Sequence, residues 1–477
     1  MTLSGIGGLQ RILGTVWFMH MTLALLSSDE CPNLCTCWGR TVSCDSGLNY
    51  LPKSISSTTD MMFVRNNDIP DIFKGVFSGH GYSTLQRLYL NHNGIRNILA
   101  ESFVGLTELK YLYVVNNKLG KLFANSFQGL EQVLTLELQH SQIAEIEPNA
   151  FKGMQALDTL DLNNNNIVEL TNGIFTDTIL LQVINLDSNK LKKISPGVFS
   201  DVANVKNLML QNNQLEVLPW NTFSGLMKLE ELDLSNNQLT SLDHSLFRDL
   251  LSLNRLDLCC NRIEYLELDM FVSLANLRLL SLHDNELKIL QPTIFENSPN
   301  LRKLTFHDNN LQTLHPMVFH EVGVLEELDF HGNPWRCDCT MLPLKVWFQK
   351  AGKSVHIEQH NMVYCRDTPS HRLKNITKLE DIANTWLCQD PAEIHVEGDG
   401  TVILVKSCLF CDISIHYILV VLVLLVLVVI GLRMKKCRRK NKKKKSQIPF
   451  SLREVKGHQV IHSRVTCTEK NVKNLLL

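Results

Sequence analysis

The sequence predicts an α/β solenoid: stacked units, each one short strand and a return segment, building a parallel concave β-sheet with a disulfide cap at either end and one transmembrane helix beyond. Three observations carry this prediction. A 24-residue pattern returns in register from residue 85 to about residue 330. Four cysteines stand just before it and four just after. A 20-residue, mostly apolar run, followed directly by a basic one, lies towards the carboxy terminus.

The repeat reads Leu85-x-x-Leu88-x-Leu90-x-x-Asn93-x-Ile95, then Leu109-x-x-Leu112-x-Val114-x-x-Asn117-x-Leu119. Its asparagine recurs at Asn165, Asn189, Asn213, Asn237, Asn261, Asn285, Asn309 and Asn333, with Ser141 in its place once. Ten residues after each position from Asn93 to Asn309 comes a phenylalanine, Phe103 to Phe319. A worn copy (Met62, Val64, Asn67, Ile69, Phe77) precedes them, with Gly79-His80-Gly81-Tyr82 absorbing two extra residues. Such a period marks one supersecondary unit that buries its apolar side only by stacking on its neighbours. The alternating leucines point inward, following the strand's period of two. The asparagines would satisfy backbone groups as a ladder, and the phenylalanines would form a second spine. These residues are the leucine-rich-repeat signature, and the chain resembles that family, which implies a leucine-rich-repeat horseshoe of about 11 repeats over residues 59–332.

Residues 1–28 hold Arg11, an apolar run and Ser27-Ser28, the pattern of a signal peptide. Everything after cleavage would then sit where disulfides form. Cys31, Cys35, Cys37 and Cys44 fall in an amino-terminal cap, 29–58, and Cys337, Cys339, Cys365 and Cys388 in a carboxy-terminal cap, 333–388. Spacing alone leaves three pairings for each set. Both sets resemble the cysteine-rich flanks of extracellular leucine-rich-repeat proteins, through Cys31-Pro-x-x-Cys35-x-Cys37 and Asn333-Pro334-Trp335-x-Cys337-x-Cys339. That resemblance implies the bonds Cys31–Cys37, Cys35–Cys44, Cys337–Cys365 and Cys339–Cys388. The sequon Asn375-Ile376-Thr377 offers a glycan site at Asn375, expected on an exposed loop.

A juxtamembrane linker, 389–412, leads to the apolar segment 413–432, whose length matches a bilayer core. Behind it stand Lys435, Lys436, Arg438, Arg439, Lys440 and Lys442 to Lys445, so the positive-inside rule makes 433–477 a cytoplasmic tail. The expected product is a type I single-pass plasma-membrane protein with its repeats outside. The tail carries 15 Lys/Arg against two Asp/Glu, whereas residues 29–412 carry 31 against 46. An acidic body excludes nucleic acid as the main ligand, because phosphate neutralisation needs clustered cations. The basic run suits anionic lipid headgroups or a plain stop-transfer flank. Cys437 beside it is a candidate for palmitoylation, and Leu475-Leu476-Leu477 fits a PDZ-type ligand. The tail is too short for a kinase and has no tyrosine, so signalling would need a co-receptor.

Residues between the leucines line the concave face, where strands about 4.8 Å apart turn each variable position into a column. Tyr89, Tyr113, Glu137, Asp161, Asp233 and Asp257 share one column; Tyr111 and Asp187 flank it. Aromatics at one end and carboxylates in the middle suit a protein ligand with a basic patch, although solvated sheet faces are commonly polar anyway. In the next column Cys259, His283, His307 and His331 follow one another. Neighbours so close can share a metal ion or titrate together, while the recurrence of His-Asp-Asn reads as repeat duplication; no metal site and no cofactor are assigned. Cys259-Cys260 is open to being a free pair or a vicinal bond.

The chain has no Gly-rich phosphate loop, His-Glu-x-x-His or nucleophile elbow, so no enzyme is expected. The plan resembles single-pass leucine-rich-repeat surface proteins: Toll-like receptors without their cytoplasmic domain, lamprey-type variable lymphocyte receptors without their stalk and, nearer in plan than either, the platelet-glycoprotein-V-like proteins. The resemblance implies adhesion or recognition of an extracellular or cell-surface protein. The alternatives are an auxiliary subunit of another membrane protein, such as an ion channel, and a shed or matrix-associated scaffold.

Overall fold

The computed structural model describes residues 31–336, except 320 and 324, and beyond them four three-residue strands. One 14-stranded sheet runs through the repeat region in strict chain order. It opens with an antiparallel hairpin, Thr36–Trp38 against Thr41–Cys44; every later strand, from Met61–Val64 to Glu327–Asp329, pairs in parallel with the one before. Register is kept by the repeat: Leu88 lies opposite Leu112, Leu112 opposite Leu136, Leu136 opposite Leu160. In the repeat strands from Arg87–Tyr89 to Thr159–Asp161 the middle leucine is buried and its neighbours are half-buried on the open face. This is the predicted solenoid.

The asparagine ladder is a set of rungs between coils. Asn213 Nδ2 donates to Leu186 O of the preceding coil (3.0 Å) and to Leu210 O and Gln211 O of its own, while its Oδ1 accepts Leu191 N–H (2.9 Å). One buried carboxamide thus satisfies four backbone groups where the chain leaves the strand. Ser141 does part of this with a hydroxyl: Oγ donates to Val114 O, and Leu119 N–H turns instead to the Ser141 carbonyl. The residue before each rung is left-handed, with φ between 50° and 65° from Asn66 through His92, Asn116 and Cys260 to Gly332. Asn and Asp tolerate that conformation better than other side chains, which accounts for the Asn-Asn and Asp-Asn doublets.

The phenylalanines stack in pairs through the return segments, with centroids from 5.6 Å for Phe175–Phe199 to 6.4 Å for Phe223–Phe247. Ring stacks on the sheet itself are spaced 4.4–4.5 Å. Coils closer at the sheet than at the return are wedges, and stacked wedges make the sheet the concave side. The return segments are turns and short bridges; among the described residues the only helical pieces are 3₁₀, at Tyr82–Thr84 and Pro316–Phe319. The first of these takes up the two extra residues of the worn repeat. Gly81 has φ 88°, and a Cβ there would fall 2.2 Å from Ile55 O, so glycine is required. Tyr82 beside it is buried and donates its hydroxyl to Pro52 O at 2.7 Å.

Both ends of the core are covered. Cys31 is bonded to Cys37 and Cys35 to Cys44, the pairing implied by the family resemblance. Val42, Cys44, Leu48, Leu51 and Ile55 of this cap pack onto the first coils. At the far end Trp335 is fully buried edge-on to Phe330 and Phe306, and its Nε1 donates to Phe330 O. The strand Trp335–Arg336 pairs with Tyr364–Arg366, which pairs with Leu373–Asn375. Cys365 lies in the second of these, and Asn375 ends the third, on a strand end where a loop was expected. Cys337, Cys339 and Cys388, and with them the carboxy-terminal pairings, lie outside the described residues.

A second unit comprises residues 390–477. Within it Ile394–Val396 and Val402–Leu404 form an antiparallel pair. The linker 389–412 therefore contains two short paired strands. The expected span 413–432, the basic tail and Cys437 lie outside the described residues. Among the described residues, no helix is long and apolar enough to cross a membrane.

Candidate functional site

The parallel register carries three chemistries along one face. At the amino-terminal end Tyr89 and Tyr113 stack with their ring planes almost parallel and their centroids 4.4 Å apart, because adjacent strands carry them at the same register position. Phe63 extends the stack below Tyr89 at 4.5 Å. Sequence reading missed Phe63 because its strand belongs to the worn copy; counting back four positions from Asn67 finds it. Two guanidiniums lie over rings: Arg65 is 4.6 Å from the Phe63 centroid and Arg87 5.0 Å from that of Tyr111. Tyr111 thus joins the aromatic end through the neighbouring column. All four rings are half-exposed. Partial burial, with Tyr89 and Glu137 adjacent, raises the Tyr113 hydroxyl above its ordinary pKa.

The middle of the face holds the carboxylates, and the structure gives them a second role. Asp161 Oδ1 accepts Asn163 N–H, Asp233 Oδ1 accepts Ser235 N–H (both 2.9 Å), and Asp257 Oδ1 accepts Cys259 N–H (3.2 Å). Each closes an Asx turn at the strand exit. Asn185 does the same for Asp187 N–H at 3.1 Å, so charge is not required for it. Asp257 is only 8% exposed and has Arg255 3.4 Å away. Burial raises the Asp161 and Asp233 carboxyls, aided by Asp187 and Asp257 respectively, against the lowering effect of their hydrogen bonds. Asp187 sits one column over, accepting from Ser188 and Asn212, and Glu137 accepts from Gln139 Nε2 at 3.0 Å. A shallow groove beside this zone is lined by Tyr111, Leu134, Thr135, Asp158, Gln182 and Lys206.

The carboxy-terminal end carries the third column. His283, His307 and His331 stack in sequence at 4.4 and 4.5 Å. Each Nδ1 has its own partner: Thr305 Oγ1 at 3.0 Å, Asp308 Oδ2 at 2.8 Å and Asp329 Oδ1 at 2.6 Å. Burial, with His307 alongside, lowers the His283 pKa, against the raising effect of Asp257, Asp284 and Asp329. Cys259 and Cys260 are free thiols with sulfurs 3.3 Å apart, so the vicinal pair is not bonded. Burial pushes both thiols up. The duplicated Asp284 and Asp308 occupy the left-handed position before a rung, the backbone reason for that repeat.

A model described as "Leucine rich repeat" matches six overlapping stretches that together span residues 59–334, more than half of the chain. Human reticulon-4 receptor-like 2 is 34% identical over 103 residues, covering 20% of this chain and 24% of that protein. The matched part is therefore about a quarter of that relative's length. A chain in the structure of the Toll–Spatzle complex, described in relation to Drosophila development and innate immunity, superposes with a TM-score of 0.58 at 22% identity, covering 65% of this chain and 41% of that one. A chain in the octameric complex of Latrophilin 3, Unc5D and FLRT2 superposes with a TM-score of 0.57 at 21% identity, covering 74% and 99%. At such identities the structural likeness is one of fold.

Proposed function

From the premise that the chain belongs to the leucine-rich-repeat family, we propose that it is a cell-surface recognition or adhesion receptor whose concave face binds a protein. The observation carrying this reading is the stack Phe63–Tyr89–Tyr113 with Arg65, Arg87 and Tyr111 around it. Half-exposed aromatic rings and arginines on a rigid sheet are what protein interfaces use as anchors, since they bring large contact area at little entropic cost. The carboxylates from Glu137 to Asp257 lie along the same face, so a ligand with an apolar centre and a basic flank fits it. Structural relatives that come from complexes with proteins support the reading. The apolar run 413–432 and the basic run after it support a single membrane crossing with the repeats outside, and a co-receptor would then carry any signal inward.

The test is a soluble dimeric fusion of residues 29–388, applied to cells, matrix proteins and microbial surfaces, beside a Tyr89→Ala/Tyr113→Ala variant. Aspartates are changed to Asn, not Ala, to keep the Asx turns. The aromatic variant should bind at least about 10-fold more weakly, as expected for interface anchors. Binding indifferent to both sets of changes would rule out the concave face. No binding anywhere would favour the second reading, an auxiliary subunit acting through the apolar span and the Lys435–Lys445 segment, whose charge reversal would then abolish co-purification with its membrane partner.

A further inference from the structure

We propose that His307, Asp308 and His331 form a binding site for a divalent transition metal, with zinc as the best match, at the carboxy-terminal end of the concave face. One nitrogen from each histidine and one Asp308 oxygen converge within 4.8 Å of one another. Asp308 Oδ2 lies 2.8 Å from His307 Nδ1 and 3.5 Å from His331 Nε2. Ligands of a tetrahedral zinc with bonds of about 2.0 Å stand about 3.3 Å apart, a spacing that the two Asp308 distances bracket, and the His307 ring, stacked on His331, turns about its Cβ–Cγ bond to bring Nδ1 onto an ion held at His331 Nε2.

A second observation points the same way. Asp329, only 7% exposed, accepts from His331 Nδ1 at 2.6 Å, which leaves the His331 Nε2 lone pair directed at the site. Its other oxygen lies 4.0 Å from His307 Nε2. When an ion takes His307 Nδ1, that ring keeps its proton on Nε2, facing the same carboxylate. Asp329 is thus a positioning residue of the kind that orients histidine ligands in metal sites. Three protein ligands leave the fourth position open on the binding face, free for water or for a side chain of a bound protein. The neighbouring set Cys259, Cys260 and His283 is the weaker candidate, because both thiols are held protonated by burial.

The test titrates the purified full-length protein with zinc chloride in a calorimeter and with cobalt(II) in a spectrophotometer. One tight ion per chain is expected, with a cobalt spectrum of nitrogen and oxygen ligation lacking a thiolate charge-transfer band. His307→Gln or His331→Gln should weaken zinc at least about 100-fold and Asp308→Asn, which keeps the left-handed backbone, about 10-fold. Asp329→Asn should weaken zinc about 10- to 100-fold without changing the ligand spectrum. A thiolate band, or zinc affinity lost in Cys259→Ser and kept in His331→Gln, would assign the ion to the neighbouring set and overturn the proposal. So would the absence of any tight ion. Melting curves check the variants; where one unfolds, the cobalt spectrum of the unaltered chain decides.

Discussion

The two ends of the concave face are built alike and behave differently. Phe63, Tyr89 and Tyr113 stack at 4.5 and 4.4 Å; His283, His307 and His331 stack at 4.4 and 4.5 Å. The spacing belongs to the backbone, because a parallel sheet carries any residue placed once per repeat onto its own kind. What the stack can do belongs to the side chains. The aromatic end offers flat apolar area with guanidiniums over it. At the other end each Nδ1 finds a separate oxygen partner, so the same spacing yields hydrogen-bonded imidazoles with carboxylates between them.

The largest effect should come from breaking what both ends share. Asn213→Ala removes a rung: Leu191 N–H loses its acceptor, while Leu186 O, Leu210 O and Gln211 O keep the bonds from Asn189 Nδ2, Asn237 Nδ2 and Ser188 N–H. One buried N–H left unsatisfied costs about 1–3 kcal/mol and three further hydrogen bonds go with it, so a loss of about 2–3 kcal/mol is expected in thermal or denaturant unfolding. A loss below about 1 kcal/mol would mean that the rungs are replaceable. An intermediate effect concerns the aromatic end alone. A double-mutant cycle between Tyr89→Ala and Tyr113→Ala should return a coupling of about 0.5–1.5 kcal/mol, as for stacked aromatic pairs. Strict additivity would show that these rings are held by the sheet and gain nothing from each other.

The smallest effect lies between the two ends. Burial raises the Asp161 and Asp233 carboxyls above the ordinary 3.8. The folded chain then holds their protons more firmly than the unfolded chain, so their contribution favours folding below the unfolded value and is lost as pH rises through the raised folded one. Asp161→Asn and Asp233→Asn should therefore match or exceed the parent at pH 7, by at most about 0.5 kcal/mol each. The gap should narrow as pH falls through the carboxylate range. Melting temperatures across that range are the measurement; a deficit at pH 7 would show that the charge itself holds the turn.

Much of this molecule was legible in one dimension because a solenoid turns sequence offset into spatial neighbourhood. The 24-residue period is enough to place Leu88 against Leu112, to line up the asparagine rungs, and to set Tyr89 on Tyr113 and His307 on His331. The cap pairings Cys31–Cys37 and Cys35–Cys44 came through family resemblance, since spacing left them open. Residues that break the period were harder to read: Phe63 in the worn first copy, and the strand pair Ile394–Val396 and Val402–Leu404 outside the repeat altogether. Tertiary structure alone decided where each polar atom points. A column of aspartates reads as a charged binding surface until the strand exit bends back and gives each carboxylate an N–H to hold. A run of histidines reads as repetition until Asp329, buried beneath it, holds His331 Nδ1 and leaves Nε2 facing Asp308. Periodicity sets positions; hydrogen-bond direction depends on rotamers and burial, which the neighbouring coils impose.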